Sequence, residues 1–206
     1  TLEYVPHYNI APTQVTPVVR MLDAGARPVP AMLRWGLIPR WAKDAGIGSR
    51  MINARSETAA EKPAFRTPLK TQRCLVPSTG FFEWQQLDET SGKRKKQPYY
   101  VHRRDQQVFA FAGLWDRWRG PNDEPIDSFT ILTTLPNDLI RPIHDRMPVI
   151  VRRADYDLWL DPAIHDVERL KPLFGPHPSQ EWVAHPVGTH VNSPAHDDPR
   201  CIQYLT

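Results

Sequence analysis

The chain has 206 residues, a net charge of +3 from 26 Lys and Arg against 23 Asp and Glu, and 22 prolines, about twice the usual share. That length buries a core without staples, and two cysteines provide no disulfide framework. No run is long and apolar enough to span a membrane as a helix, no charged-then-apolar leader opens the chain, and the mild positive charge permits an anionic partner without demanding one.

In chain order, strand-like runs fall at residues 16–22, 32–38, 74–77, 81–86, 98–103, 108–114, 129–134 and 148–152. Helical signals are fewer. Thr58 and Glu61 have capping-box spacing ahead of a short helix toward Arg66. Asp155 can cap a helix over 156–160, and 166–174 carries Val167, Leu170, Leu173 and Phe174 at helical intervals. The basic run Lys93-Arg94-Lys95-Lys96 lies between two strand patterns and reads as the solvated tip of a hairpin. The expected fold is α+β: a single domain over 1–206, of curved, mostly antiparallel, barrel-like sheet with short peripheral helices. Cys74, in Arg73-Cys74-Leu75-Val76-Pro77, reads as a buried strand thiol. Both cysteines are expected reduced, in a cytosolic or nuclear setting.

Three short segments each place one polar, catalytically capable side chain in an apolar setting. They are Ile52-Asn53-Ala54-Arg55, Gly80-Phe81-Phe82-Glu83-Trp84 and Ile143-His144-Asp145-Arg146-Met147-Pro148. An amide, a carboxyl and an imidazole on one pocket suit acid–base chemistry. In an extended strand Phe82 and Trp84 point away from Glu83 while Phe81 flanks it, so the Glu83 carboxyl is expected to be desolvated with a raised pKa. Histidine is the side chain whose unperturbed pKa lies nearest working pH, and His144 has Asp145 beside it. Asn53 and Arg55 share one face of an extended chain, setting an amide beside a guanidinium that can fork onto phosphate unless Glu57 claims it. Arg34-Trp35-Gly36-Leu37-Ile38-Pro39-Arg40-Trp41-Ala42-Lys43 interleaves aromatics with cations, the composition of a surface that stacks bases and tracks a backbone. Trp35 reads as core; Trp41, flanked by Arg40 and Lys43, is the stacking candidate. His185, His190 and His196 lack helical ligand spacing and no His-Glu-x-x-His motif or paired cysteines occur, so no metal or cofactor is expected.

Five blocks then occur in one order: Tyr8-Asn9-Ile10-Ala11-Pro12, Arg34-Trp35-Gly36-Leu37-Ile38-Pro39, Asn53-Ala54-Arg55, Phe82-Glu83-Trp84 and His144-Asp145-Arg146-Met147-Pro148. With the closing His185-Pro186-Val187 through Val191-Asn192, the chain resembles SOS response-associated peptidase (SRAP) domains from about residue 8 onward. The resemblance implies recognition of abasic sites in single-stranded DNA and a covalent thiazolidine crosslink to the α-amine and thiol of an N-terminal cysteine. It assigns Glu83 as the acid–base glutamate, His144 as the histidine assisting Schiff-base chemistry, and Asn53 as the amide orienting N-terminus and sugar. Arg55, Asn9, Trp41 and Thr133 match positions lining the DNA groove, and Arg40 flanks Trp41. The chain is further expected to be a monomeric enzyme with no membrane partner, cytoplasmic, and nucleoid-associated in a bacterium. Family members start Cys-Gly-Arg with a helical stretch before the Asn9 position. Thr1 is therefore expected not to be the biological N-terminus, and Cys74, mid-chain without an α-amine, cannot substitute. Two other readings stand beside this one: a peptidase that removes its own N-terminal segment, and a non-catalytic single-strand binding module.

Overall fold

A computed structural model describes residues 5–87 and 95–205. Its centre is a barrel closed by five strands: β1 (Val15–Arg20), β2 (Val29–Trp35), β4 (Arg73–Ser78), β7 (Phe109–Arg119) and β8 (Pro125–Thr134). The ring runs β7-β4-β1-β2-β8, and closure comes from β7 pairing β8 between Gly113↔Ile131 and Arg119↔Pro125. Four of these pairings are antiparallel and one, β2 on β8, is parallel. A short β3 (Asn53–Arg55) extends the sheet from the far edge of β8, again in parallel.

Alternation along each strand fills the barrel. Val18, Leu33, Cys74, Val76, Phe111, Trp115, Phe129 and Ile131, drawn from all five ring strands, form one buried cluster. Gly113 faces this interior, where an added Cβ would stand 2.6 Å from Cys74 Sγ. The alternate set (Leu75, Ala112, Leu114 and Leu132) packs outward against Trp159 and Leu160 of α2 (Tyr156–Leu160) and Leu69 of α1 (Arg66–Thr71). Burying each large side chain of this kind contributes about 1.5–3 kcal/mol. Arg73 joins the two helix ends, donating to the carbonyls of Leu69, Lys70, Trp159 and Asp161.

A second, three-stranded antiparallel sheet of β5 (Gly80–Gln86), β6 (Lys96–Arg103) and β11 (Trp182–Pro186) lies against the barrel in the order β11-β6-β5. Phe81, Val101 and Trp182 join the barrel-side cluster. Phe82, Trp84 and Tyr100 face the other way, onto Val187, Val191 and Cys201 of the C-terminal turns.

The expected elements need four corrections. The strand predicted over 32–38 stops at Trp35 because Gly36 turns to φ +122° and gives its N–H to Phe129 O. Residues 56–65 pass through separate turns, and the helix forms at Arg66–Thr71, beyond Pro63, which supplies no amide. The helix expected over 166–174 divides, around Leu170 and Pro172, into 3-10 turns Val167–Arg169 and Lys171–Phe174. The strand over 148–152 splits into β9 (Met147–Pro148) on β8 and β10 (Ile150–Val151) on β7, with Val149 bonded to both neighbours. The hairpin carrying the basic run is present as the β5–β6 pair, ending at Gln86↔Lys96; Lys93 and Arg94 lie outside the described residues.

Candidate active site

Glu83 sits mid-β5 opposite Tyr99, on the strand face shared with Phe81. Its side chain is only 17% exposed, and burial pushes its pKa up to about 7, with the His144 charge pulling it down and Asp145 pushing it further up. His144 follows the turn after Ile140 and Ile143, two buried residues that tie the 135–148 segment to the core. Its Nδ1 stands 3.6 Å from Glu83 Oε2 and 3.4 Å from Asp145 Oδ1. The same Nδ1 lies 3.1 Å from both the amide nitrogen and the carbonyl oxygen of Arg146, so either ring tautomer finds a partner there. Gln85, two residues beyond Glu83, donates to Pro142 O at 2.9 Å and pins β5 to the histidine's loop. A carboxyl near neutrality beside an imidazole exchanges protons in both directions at working pH.

Asn53 and Arg55 are both exposed on β3, while Ala54 between them is buried in the outer cluster. They pair with Ile131 and Thr133, so they share the side of the sheet on which those residues stand. Glu57 does not claim Arg55. Instead it takes a bidentate pair from Arg146 at 2.8 Å and 2.8 Å, which holds its pKa below the usual carboxylate value. The Arg55 carbonyl accepts from Thr58 N–H, while its guanidinium makes no hydrogen bond or ion pair among the described residues and acts on Glu57 only through its charge. Arg146 also donates to Thr133 O at 2.6 Å, so one guanidinium ties the turn after β3, the end of β8 and the backbone beside His144. In the sequence, Arg146 is marked only by its place in His144-Asp145-Arg146-Met147-Pro148. Its position two residues after His144 was the available signal.

The remaining expected residues lie elsewhere. Arg40 is held by the buried Asp116 at 2.9 Å and by Gln72, and Trp41 beside it is 56% exposed. Asp116 pairs with Ser128, and from there to Thr133 β8 advances roughly 17 Å at about 3.4 Å per residue. The Arg40–Asp116 contact thus sits toward the start of β8, and the Arg146–Thr133 contact near its end. Thr133 is 9% exposed, its carbonyl accepting from Arg146. Asn9 departs furthest from a groove-lining role. Its amide nitrogen donates to the carbonyls of Val191, Ser193 and His196, and its backbone N–H to Asp197, fastening the N-terminal segment to the C-terminal turns. Trp35 is partly buried against the core as expected, its indole N–H given to Ile52 O.

A family model described as SOS response associated peptidase (SRAP) matches residues 1–194. The chain belongs to the SRAP family. Among its relatives, the abasic site processing protein YoqW of Bacillus subtilis strain 168 is 42% identical over 201 residues, spanning 98% of this chain and 87% of YoqW. The abasic site processing protein HMCES of Xenopus tropicalis is 33% identical over 231 residues, covering 97% of this chain and 66% of its own. A crystal structure of a Bacteroides thetaiotaomicron protein superposes with a TM-score of 0.81 at 31% identity, covering 94% of this chain and 82% of that one. This SRAP chain has no helix among its described residues long and apolar enough to cross a membrane.

Proposed function

We propose that this SRAP domain acts as a monomer on abasic sites in single-stranded DNA and couples to them covalently through the α-amine and thiol of an N-terminal cysteine outside this sequence. The reading rests on the desolvated Glu83 carboxyl set against His144; the names of YoqW and HMCES supply the substrate class. Glu83, as carboxylic acid and then carboxylate, moves the proton that opens the sugar hemiacetal to its aldehyde. The α-amine adds to the aldehyde carbon, and proton delivery from the Glu83–His144 pair expels the hydroxyl as one water, leaving an imine. The thiol then adds to the imine carbon, giving up its proton to the nitrogen and closing the thiazolidine. Asn53 orients the sugar and the amine from the exposed face of β3. Arg55, with its guanidinium uncommitted, takes a phosphate, while Trp41 stacks a base and Arg40 sits beside it. Thr133 positions Arg146 at the end of the groove. Asn9 serves through the segment it fastens.

The test is intact mass of the protein carrying its native N-terminus after incubation with single-stranded DNA holding one abasic site. A cysteine terminus and an adduct equal to protein plus strand minus one water are expected. Glu83→Gln is expected to slow adduct formation by about 10²–10⁴-fold while changing DNA affinity less than about twofold. A native cysteine terminus without an adduct overturns the covalent reading, and equal losses of binding and rate in the Gln variant overturn the role given to Glu83.

A further inference from the structure

On the face of the three-stranded sheet opposite Glu83, the C-terminal turns gather a second set of reactive side chains. His190 lies in the 3-10 turn Thr189–Asn192; Asp198 caps the turn Pro199–Ile202, which contains Cys201. His190 Nε2 stands 3.1 Å from Asp198 Oδ2, and the ligand atoms of His190, Asp198 and Cys201 all lie within 4.8 Å of one another. The His196 ring stacks on His190 with centroids 3.8 Å apart and planes 6° from parallel. It is anchored through Nδ1 to His190 O at 2.7 Å, which fixes the plane of the ligand ring.

We propose that His190, Asp198 and Cys201 form a structural binding site for a divalent transition metal of the zinc class, with water as the fourth ligand. An imidazole nitrogen, a carboxylate oxygen and a sulfur make the borderline-soft donor set that zinc takes. Tetrahedral bonds of about 2.0–2.3 Å put neighbouring donors roughly 3.3–3.8 Å apart, so sub-ångström side-chain shifts bring this trio into place. Two oxygens of Asp198 accept from Arg200 at 2.9 Å and 2.7 Å, keeping the carboxylate ionised and aimed, the arrangement expected around a ligating carboxylate. Cys201 is fully buried, whereas His190 and Asp198 keep 24% and 32% of their side chains exposed, so the trio opens to solvent on one side. The Cys201 thiol points at His196 O, 3.4 Å away. On binding, the thiol releases its proton to solvent as the sulfur–metal bond forms, and His190 shifts its ring proton to Nδ1.

The location sets the consequence. Asn192, in the same turn as His190, accepts from Trp84 at 2.8 Å, next to Glu83, and the carbonyls of Val191, Ser193 and His196 receive the Asn9 amide. An ion here stiffens the mount for both the β5 flank and the N-terminal segment. The spacing 190, 198, 201 follows no helical rule, which is why the sequence alone predicts no metal.

The experiment is titration of the full chain, after chelator treatment, with Zn²⁺ alone and Co²⁺ alone. One equivalent of either ion is expected, with a sulfur-to-cobalt charge-transfer absorption and a zinc-dependent rise in melting temperature that fades as pH falls. Cys201→Ser is expected to abolish the charge-transfer band, and both it and His190→Ala to weaken binding at least tenfold. If Cys201→Ser fails to fold, His190→Ala, which keeps the sulfur, carries the decision. Absence of stoichiometric binding overturns the site, as does unchanged affinity in His190→Ala, which would put the ion elsewhere, for instance on the exposed His7–Asp197 pair.

Discussion

Glu83 titrates near 4.5 in an unfolded chain and near 7 in place. The folded protein therefore holds that proton more tightly, and stability falls as pH rises through that window, by on the order of 3 kcal/mol. Glu83→Gln removes the buried negative charge and keeps the shape. Thermal unfolding should show the variant more stable than wild type at pH 8, with the gain vanishing toward pH 4.5; a constant gain at all pH values would mean that the carboxyl is not desolvated. The same titration should appear in the chemistry as an inflection near pH 7 in adduct formation that the Gln variant lacks. Arg55 makes a second residue-scale case. Because Glu57 is engaged by Arg146, Arg55→Ala should leave folding within about 0.5 kcal/mol while weakening DNA binding and lowering the salt slope by roughly one, measured by binding titrations at several salt concentrations.

Among the elements, the loop after β2 carries the tightest backbone constraint. Gly36 has φ +122°, and a Cβ there would lie 2.6 Å from Gly48 O. Gly36→Ala should cost at least about 2 kcal/mol in a urea melt, from backbone strain plus displacement of the facing turn. This region also shows what the sequence reveals. Strand positions were legible wherever apolar alternation was local: β5 displays Phe81 and Glu83 on one face and Phe82 and Trp84 on the other, as its residues dictate. Pairing was not legible. Nothing within β2 or β8 announces their parallel contact, which joins residues almost a hundred positions apart. Pro63 overrides the capping-box spacing of Thr58 and Glu61, and Pro172 the apolar periodicity of 166–174. In the site, Glu83 stands out by its aromatic neighbours and His144 only through the family resemblance, whereas the Arg146–Glu57 pair does not show at all, since Arg55 stands much closer to Glu57 in sequence.

Taken whole, the molecule sets two titrations of opposite sign against each other. As pH falls from 7 to 4.5, protonating Glu83 adds stability. His177 and His185, whose pKa values burial lowers, are held neutral in the fold and cost stability once pH drops below their unfolded value of 6.5. His177 accepts the Trp182 indole N–H at 3.0 Å, so its protonation also breaks a core hydrogen bond. The acid decline in melting temperature between pH 7 and 5 should be steeper in Glu83→Gln than in wild type. The cysteines offer a separate view of the same whole. Cys74 lies inside the barrel with its thiol pKa pushed far up by burial, and Cys201 lies under the C-terminal turns, each fully covered. A thiol-modifying reagent applied to the native protein therefore meets two clocks in different rooms. Labelling at Cys201 times the lifting of the C-terminal turns, labelling at Cys74 times the opening of the barrel, and the interval between them records the order in which the molecule comes apart.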